Sequence, residues 1–294
     1  QASTRRRLRD EGNVILSNPD MLHQGILPSH ARWGRFLSKL RFVVVDEMHA
    51  YRGIFGSHVA NVLRRLDRVV RHHGGEFRVV LCSATIRNPG ELAAGLTARE
   101  VTVVDDDGAP RGEKHFVFWN PPHVDEARIE RRSSNVEGCA LFAALIEGGA
   151  QSLAFTKSRV AAELVYRYAR ERLDRVSPGL GDRVRPYRGG YLPEERRAIE
   201  RALFSGDLAG VVSTNALELG VDIGGLDAVV MIGAPPPLAS AWQQAGPAGR
   251  EGAPAPAVLV AYHDTGDQEL MRHPGYFFRR PPEAACLDPG EPYT

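Results

Sequence analysis

Two adjacent carboxylates follow a short apolar run early in the chain. Asp46 and Glu47 come directly after Phe42–Val45, a run whose length and apolar composition predict a buried strand. Open α/β sheets bind their ligands at the carboxyl ends of strands. An aspartate there can hold a hydrated Mg²⁺, and a glutamate beside it can deprotonate an attacking water. These residues indicate metal-assisted hydrolysis. An acidic loop cap, with His49 as a structural histidine, is the alternative that they leave open.

Small polar side chains follow two other apolar runs in the same half of the chain. Ser83-Ala84-Thr85 comes after Val79-Val80-Leu81, and its hydroxyls can bond neighbouring carboxylates or the histidine. Ser17-Asn18-Pro19-Asp20 comes after Val14-Ile15-Leu16, and the proline confines the asparagine to an extended conformation. Such a turn can offer hydroxyl, amide and backbone N–H groups to a phosphate. Local turns and helix caps are the alternatives for each segment taken by itself.

The second half of the chain offers neutral donors and a few cations after similar runs. Thr214 and Asn215 suit contacts to a sugar-phosphate backbone, because short neutral donors bind phosphates without reading bases. Arg250 ends a loop rich in Gly and Ala, and its guanidinium could stabilise charge on a transferring phosphoryl group. A solvated loop is the alternative at each place. The segments are Phe155-Thr156-Lys157-Ser158-Arg159, Ser213-Thr214-Asn215, Gly220-Val221-Asp222 and Gln243-Gln244-Ala245-Gly246-Pro247-Ala248-Gly249-Arg250.

Strands and helices must alternate to position these segments, and the sequence predicts that they do. Short Val/Ile/Leu runs separated by helical stretches are typical of βα units around a parallel sheet, so the fold class is α/β. One helix is predicted over the apolar stripe from Val59 to Val70, which Gly74-Gly75 ends, and another from Asn135 to Gly148-Gly149. The predicted strands are 14–16, 42–45, 79–81, 101–104, 152–155, 210–212, 229–232 and 258–260. The arginines off the first helix's stripe, interpreted as a solvated face, are Arg64, Arg65, Arg68 and Arg71.

A polar stretch containing Pro and Gly separates the two sets of strands. It places a predicted linker at 122–135, so the predicted domains are residues 1–121 and 136–262. Residues 263–294 lose the strand pattern and are rich in Pro and Arg. We therefore expect this tail to be a short C-terminal extension.

Composition narrows the class of protein without indicating a partner. The 294 residues, 32.2 kDa, are 43% hydrophobic and 25% charged, which excludes a disordered or fibrous protein. Lys+Arg 37 against Asp+Glu 36 gives a net charge of +1, a balance that can still hide local patches. The three cysteines form no CxxC pair, which favours a reducing, cytoplasmic setting. No apolar run is long enough to span a membrane.

The order of these segments resembles the motif set of superfamily 2 helicases. Asp46 to His49 resembles motif II, and Ser83 to Thr85 resembles motif III. Ser17 to Asp20 resembles motif Ib, and the segments of the second half resemble motifs IV, V and VI. Longer strings resemble the mitomycin-repair-factor branch of bacterial DEAD/DEAH-type DNA helicases. These strings are Asp46-Glu47-Met48-His49-Ala50-Tyr51-Arg52-Gly53, Tyr187-Arg188-Gly189-Gly190-Tyr191, Asn215-Ala216-Leu217-Glu218-Leu219-Gly220 and His273-Pro274-x-Tyr276-Phe277-Phe278.

The resemblance implies two RecA-like lobes with parallel sheets that clamp ATP and single-stranded DNA between them. Asp46 would hold Mg²⁺ through water, and Glu47 would activate the hydrolytic water. Gln243 and Arg250 would reach the γ-phosphate. The residues that would couple hydrolysis to lobe movement are His49, Ser83 and Thr85, and those near the nucleotide ribose would be Gly220 and Asp222.

The same resemblance implies a path for the DNA backbone and a cellular role. The residues lining the path would be Ser17, Asn18, Thr156, Ser158, Thr214 and Asn215. Unwinding in relatives runs 3′ to 5′, and the branch implies a role in DNA repair in the bacterial cytoplasm.

Two departures from the family pattern affect the expected activity. No Gly-x-x-x-x-Gly-Lys-Thr loop, which supplies N–H donors and a lysine to the β- and γ-phosphates, occurs in the sequence. In the family this loop lies upstream of the Asp-Glu strand, and the chain opens at Gln1 without a methionine, so we expect a first lobe truncated at its N-terminus. Pro247 stands where relatives have an arginine, and losing such an arginine can reduce the rate about 10³–10⁵-fold.

Two hypotheses of function follow from these residues. The first is a fragment of an ATP-dependent DNA helicase that is inactive in isolation. The alternative is a non-catalytic nucleic-acid-binding module with degenerate helicase lobes. A dinucleotide-binding enzyme is disfavoured, because no Gly-x-Gly-x-x-Gly follows a predicted strand.

Overall fold

A computed structural model describes residues 2–84, 86–106, 108, 112–124, 130–218, 225–249 and 254–290 of the chain. They belong to two compact units, which are described separately. Unit 1 comprises the described residues of Gln1–Asp106 and Glu283–Thr294, and unit 2 those of Asp107–Pro282.

The predicted alternation of strands and helices is confirmed in both units. The strands are β1 (Phe42–Val45), β2 (Arg78–Leu81), β3 (Lys114–Trp119), β4 (Ser152–Thr156), β5 (Val184–Tyr187), β6 (Gly210–Ser213), β7 (Ala228–Ile232) and β8 (Ala255–Val260). The helices are α1 (Ala2–Glu11), α2 (Gly34–Leu37), α3 (Gly53–His72), α4 (Pro89–Thr97), α5 (Ser134–Glu147), α6 (Arg159–Val176), α7 (Pro193–Phe204), α8 (Leu238–Ala245), α9 (Thr265–Arg272) and α10 (Gly275–Arg279). Short π and 3-10 turns lie at Met21–Ile26, Leu27–Trp33, Met48–Ala50, Gly181–Arg183 and Asn215–Leu217.

Unit 1 is built on a parallel pair of strands covered by helices. β1 pairs with β2 so that Val45 lies opposite Leu81. The predicted apolar stripe of α3 is confirmed, since Val59, Leu66 and Val70 are buried in its core. This pairing aligns the carboxyl ends of the two strands.

Two strands predicted for unit 1 are absent from its structure. Residues 14–16 and 101–104 have no strand hydrogen bonding, and Leu16 and Val104 are 97% and 86% exposed. A run of three or four apolar residues forms a strand only when another strand supplies its hydrogen bonds. In the described part of unit 1, the strand pairing is confined to β1 and β2, so those two predictions were wrong.

Unit 2 contains a six-stranded parallel sheet in the order β3-β8-β7-β4-β6-β5. Alternate residues of the central strands point to opposite faces of the sheet. Since these residues are apolar on both faces, helices cover both. Val229 of β7 belongs to a core with Leu203 of α7, and Val230 belongs to a second core with Phe142 of α5. Both valines lie on β7, a strand whose apolar residues do not alternate with polar ones, as the sequence predicts for a strand that is buried on both faces.

Two strands of this sheet have no counterpart among the predictions. β3 alternates exposed and half-buried residues at one edge of the sheet, where it pairs with β8. β5 contains Pro186 and lies at the opposite edge. Proline is tolerated at an edge because one side of that strand needs no hydrogen-bond donor. The start of α5 also differs from the prediction, since its N-cap is Ser133 and Asn135 lies in its first turn.

The boundary predicted at 122–135 differs from the observed division of the chain, because β3 belongs to unit 2. Its Lys114 Nζ donates to the carbonyls of Ala245 (2.8 Å) and Gly246 (3.0 Å) at the end of α8. A cation at a helix C-terminus interacts favourably with the helix dipole. The stretch between the units is therefore earlier in the chain than the predicted linker.

The predicted C-terminal extension is divided between the two units. Helices α9 and α10 lie in unit 2, where Phe277 is buried. The segment from Glu283 packs on unit 1, where the Ala285 amide donates to Asn88 Oδ1 at 2.9 Å and the Gly53 amide donates to the Cys286 carbonyl at 2.6 Å. No helix in the described ranges is both long and apolar enough to cross a membrane.

The turn after β7 gives a testable requirement for glycine. Gly233 has φ +85°, and a Cβ there would overlap the Tyr262 ring and the Lys157 stem. Gly179 has nearly the same φ, +86°, but open space around it. We expect Gly233→Ala to lower the free energy of unfolding by about 3 kcal/mol and Gly179→Ala by about 1 kcal/mol. Urea denaturation measures both values, and equal losses in the two variants would contradict this account of the turn.

Candidate functional site

The acidic segment of unit 1 lies beside the Ser-Ala segment because their strands are neighbours. The Cys82 amide donates to the Val45 carbonyl, and the Met48 amide donates to the Cys82 carbonyl, each at 2.9 Å. These bonds continue the β1–β2 ladder beyond the strands. The prediction that both segments follow strands of one sheet is confirmed.

Glu47 adopts a backbone conformation that non-glycine residues rarely have. Its φ and ψ are 50° and 44°, in the left-handed region. Such a residue costs of order 1–3 kcal/mol, and residues of this kind cluster at functional sites. The Glu47 amide donates to Asp46 Oδ1 at 3.0 Å, which helps to hold the turn. The turn therefore fixes the directions of the two carboxylates relative to each other.

His49 can bond either to the Ser-Ala segment or to the acidic segment through one ring nitrogen. Its Nδ1 lies 3.3 Å from the Ala84 amide and 3.4 Å from Glu47 Oε2. The amide can only donate, so the neutral ring accepts at Nδ1 and has its proton on Nε2. The histidine is thus placed to link the two segments.

The exposed Asp46 carboxylate fits the expected Mg²⁺ contact. One of its oxygens accepts the Glu47 amide, and the side chain is open to solvent, as a carboxylate that holds the ion through water requires. Burial, with a smaller effect of the nearby Asp46 charge, raises the pKa of Tyr51 above its usual value. The phenol of Tyr51 therefore stays neutral at physiological pH.

The other predicted residues of unit 1 make local bonds. Asn18 Oδ1 accepts the Met21 amide at 2.7 Å, and Ser17 Oγ donates to the Asn18 carbonyl at 3.2 Å. Ser83 Oγ donates to the Ala84 carbonyl at 2.7 Å. All three residues are exposed. Thr85 lies outside the described residues.

In unit 2 the polar residues after β4 and β6 are joined by hydrogen bonds. Thr156 Oγ1 lies 3.0 Å from the Ser158 carbonyl and 3.3 Å from the Ser213 carbonyl. Ser158 Oγ accepts the Ala161 amide at 3.1 Å and so caps α6. Because Thr156 is only 7% exposed, any effect of its hydroxyl on DNA has to act through the loop that it shapes.

Glu218 connects the loop after β6 to α8, a contact that the sequence did not assign. Thr214 is half-buried and Asn215 is exposed in this loop. One turn later, Glu218 Oε1 accepts from Ser240 Oγ at 2.5 Å, and its Oε2 accepts from Gln244 Nε2 at 3.1 Å. In the sequence, Glu218 could be noticed by its position one turn after Asn215. Its partners could not be predicted from that spacing, because they lie more than 20 residues away.

A buried carboxylate joins the ends of β4, β7 and β8. Asp267 is 3% exposed, and its Oδ2 accepts the amides of Ala234 (3.1 Å) and Tyr262 (2.7 Å). Its Oδ1 lies 3.4 Å from Lys157 Nζ. Asp264 Oδ2 lies 3.3 Å from the same ammonium. The hydrogen bond from the Asp267 amide, together with Lys157, holds the pKa of the Asp264 carboxyl below its usual value. Sequence reasoning missed this cluster, because its main donors are backbone amides.

Two more predicted residues lie on α8 or directly after it. Gln243 is half-buried on this helix. Pro247 is buried, and its carbonyl accepts the Leu226 amide at 3.2 Å. Gly220, Asp222 and Arg250 lie outside the described residues.

Comparison with known families agrees with the order of these segments. The family model for DEAD/DEAH box helicase matches residues 1–92, and the model for helicase conserved C-terminal domain matches residues 138–252. The chain belongs to the DEAD/DEAH-box helicases of superfamily 2. Its α/β fold with two RecA-like units, the first of them small, is that of the family.

This helicase chain is similar to a named ATP-dependent helicase and to two helicases solved with DNA. The uncharacterized ATP-dependent helicase YprA of Bacillus subtilis is 49% identical over 286 residues, which cover 97% of this chain and 38% of YprA. The DUF1998 helicase MrfA bound to DNA and AMPPNP matches with a TM-score of 0.95 and 47% identity, covering 100% of this chain and 40% of MrfA. The helicase Lhr of Mycobacterium smegmatis bound to ssDNA and AMP-PNP matches with a TM-score of 0.75 and 27% identity over 97% of this chain and 36% of Lhr.

The helicase chain therefore spans about two fifths of the length of these relatives.

The buried Asp267 carboxylate provides a test of how the edge of the unit 2 sheet is held. We expect Asp267→Asn to lower the free energy of unfolding by about 2 kcal/mol, because a buried charge-assisted contact is lost. The matched control is Asp264→Asn. Asp264 contacts the same lysine, and asparagine is also a good N-cap, so we expect the free energy of unfolding to change by at most about 0.5 kcal/mol. Thermal and urea unfolding measure both variants. A control as unstable as Asp267→Asn would refute the assignment.

Proposed function

We propose that this chain forms the two motor units of an ATP-dependent DNA helicase or translocase that acts in bacterial DNA repair. The observation that supports this most directly is the turn Asp46-Glu47-Met48-His49 at the carboxyl end of β1, with His49 within bonding distance of Ala84. Strained residues cluster at functional sites, and a contact from this turn to the Ser-Ala segment would let a change at the carboxylates reach the neighbouring loop.

In this proposal the residues of unit 1 act on the nucleotide. When Mg²⁺ is bound with ATP, it neutralises charge on the phosphates, and Asp46 would hold it through water. Glu47 would orient and deprotonate the attacking water. His49 and Ser83, with Thr85, would transmit the change of state from the acidic segment to the adjacent loop.

The residues of unit 2 would contribute both to nucleotide and to DNA contacts. Gln243 and Arg250 would contact the γ-phosphate, and Gly220 and Asp222 would lie near the ribose. The Glu218 link gives a physical reason for coupling, because it joins the Thr214–Asn215 loop to the helix that contains Gln243.

Single-stranded DNA, or DNA with a single-stranded tail, is the proposed partner. Lhr was solved with ssDNA and MrfA with DNA, and the candidate contacts in this chain are hydroxyls and amides that suit phosphates. They are Ser17, Asn18, Ser158, Thr214 and Asn215, and the buried Thr156 would act on the DNA path through the loop that it shapes. Binding through such groups is sequence-independent and salt-dependent. The proposed location is the bacterial cytoplasm.

A second candidate function is nucleic-acid binding without hydrolysis. It is favoured by Pro247 at an arginine position and by the lack of Gly-x-x-x-x-Gly-Lys-Thr within the 294 residues. ATP hydrolysis distinguishes the two functions.

We expect the 294-residue chain alone to hydrolyse ATP at a negligible rate, because it supplies no loop of N–H donors and lysine for the β- and γ-phosphates. The chain extended upstream through such a loop, with Pro247→Arg, should hydrolyse ATP when DNA is added. Glu47→Gln in the extended chain should reduce that rate at least about 100-fold. A phosphate-release assay measures each. If the extended protein shows no DNA-stimulated hydrolysis, the motor proposal is wrong.

We expect Thr214→Ala combined with Asn215→Ala to weaken binding of a labelled oligothymidine about 30-fold, since each of the two lost hydrogen bonds is worth about 1 kcal/mol. The slope of log affinity against log salt should not change, because neither side chain is charged. Ser177→Ala is the control, since this exposed serine follows the C-terminal end of α6, whereas the candidate contact Ser158 precedes the start of that helix. Fluorescence anisotropy measures the affinities. Equal affinities of the double variant and the control would contradict the assigned DNA path.

A further inference from the structure

A groove of about 590 Å³ lies in unit 1 between the segment after Asn18 and one face of α3. On the side opposite α3, the groove is lined by Pro19 and Asp20. These two residues directly follow Ser17 and Asn18, the pair that is predicted to contact DNA. The polar and aromatic side chains that line it are Asp20, His23, Phe55, His58, Arg65 and Arg68. All of these residues belong to the described part of unit 1.

The α3 side of the groove is a continuous face of one helix. Phe55, His58, Arg65 and Arg68 recur at the spacing that places side chains on one side of a helix. The Phe55 side chain is 52% exposed. This face of α3 therefore carries an exposed aromatic ring and two guanidinium groups.

The four arginines of α3 differ in their partners. Arg64 donates to the Gly95 carbonyl at 3.3 Å, and Arg71 lies 3.0 Å from Asp67. Arg65 and Arg68 make no hydrogen bond or ion pair to any residue in the described ranges. Asp67 cannot serve them readily, because its carboxylate already contacts both Arg71 and Arg99.

The groove therefore has an excess of positive charge. Two guanidiniums face one carboxylate, that of Asp20, and two imidazoles add further donors. Arginine binds phosphates through parallel N–H donors, and an aromatic ring offers a stacking surface to any base. The predicted solvated face fits Arg65 and Arg68, which have no partner in the described ranges, better than Arg64, whose Nε is buried. Solvent-facing guanidiniums in a groove are available to a ligand.

We infer that this groove binds single-stranded DNA, extending the contact made by Ser17 and Asn18 along α3. Arg65 and Arg68 contact two phosphates, and Phe55 stacks on a base. The inference rests on the proposed DNA-binding function and adds a site to it. Charge complementarity and continuity with the Ser17–Asn18 turn identify a phosphodiester strand as the occupant.

The test is the salt dependence of DNA binding by the chain with Arg65→Gln and Arg68→Gln. Anisotropy of a labelled oligothymidine of about 20 nucleotides is measured between about 50 and 200 mM KCl. We expect the double variant to lose about tenfold in affinity, and the magnitude of the log–log salt slope to fall by about 1.4, the value for two phosphates on a single strand. Arg71→Gln is the control, since it removes one positive charge from the same helix outside the groove, and we expect its slope to match that of the unmodified chain.

The outcomes separate this inference from the function on which it rests. If the unmodified chain binds the oligonucleotide, and Thr214→Ala with Asn215→Ala weakens binding, but Arg65→Gln with Arg68→Gln changes nothing, the groove is not a DNA site and the proposed function stands. If the unmodified chain does not bind DNA, both fail.

A second measurement does not depend on removing the arginines. Benzoylphenylalanine introduced in place of His58 should crosslink to the bound oligonucleotide on irradiation, and the same group in place of Arg71 should not. Equal crosslinking at both positions would overturn the site. Displacement of the DNA by polyglutamate as readily as by unlabelled DNA of equal charge would indicate a site for acidic peptides, and would also overturn it.

Discussion

Parallel pairing of strands is the constraint on which both units depend. A parallel ladder places the carboxyl ends of neighbouring strands at one edge, so the residues that follow them must share that edge. In unit 1, pairing of Val45 with Leu81 brings the acidic turn beside Cys82 and Ser83. In unit 2, pairing of Phe155 with Ser213 does the same for Thr156 and the loop after β6. Each candidate site is thus set by backbone register before any side chain contributes.

Carboxylates then fix the loops that the strands bring together. Asp267 accepts two backbone amides and contacts Lys157, so it ties three strand ends to the start of α9. Glu218 ties the loop after β6 to α8. Burial makes such acceptors costly to leave unpaired, so the loops have few alternative conformations. The same residues that stabilise unit 2 therefore determine where its hydroxyl and amide donors lie.

Charge is distributed unevenly on a chain whose formal net charge is only +1. Within α3 alone, Arg71 is neutralised by Asp67, while Arg65 and Arg68 line a groove that contains one carboxylate. A balanced total is compatible with binding a polyanion when unpaired cations share one surface. The salt dependence of DNA affinity measures the contribution of those cations. Neutral donors such as Asn215 add to the affinity without changing its salt dependence.

The sequence by itself determined the fold class, the strands of the central sheets and the order of the chemical segments, because apolar runs and motif spacing are local properties. Tertiary structure decided the rest. Residues 14–16 and 101–104 have strand composition but no pairing partner, whereas Val184–Tyr187, with its proline, is accepted at a sheet edge. The membership of β3 in unit 2 depends on its pairing with β8, more than 130 residues later. Asp267, Glu218 and the two unpaired arginines likewise take their roles from partners distant in sequence, or from the lack of them among the described residues, which no local pattern encodes.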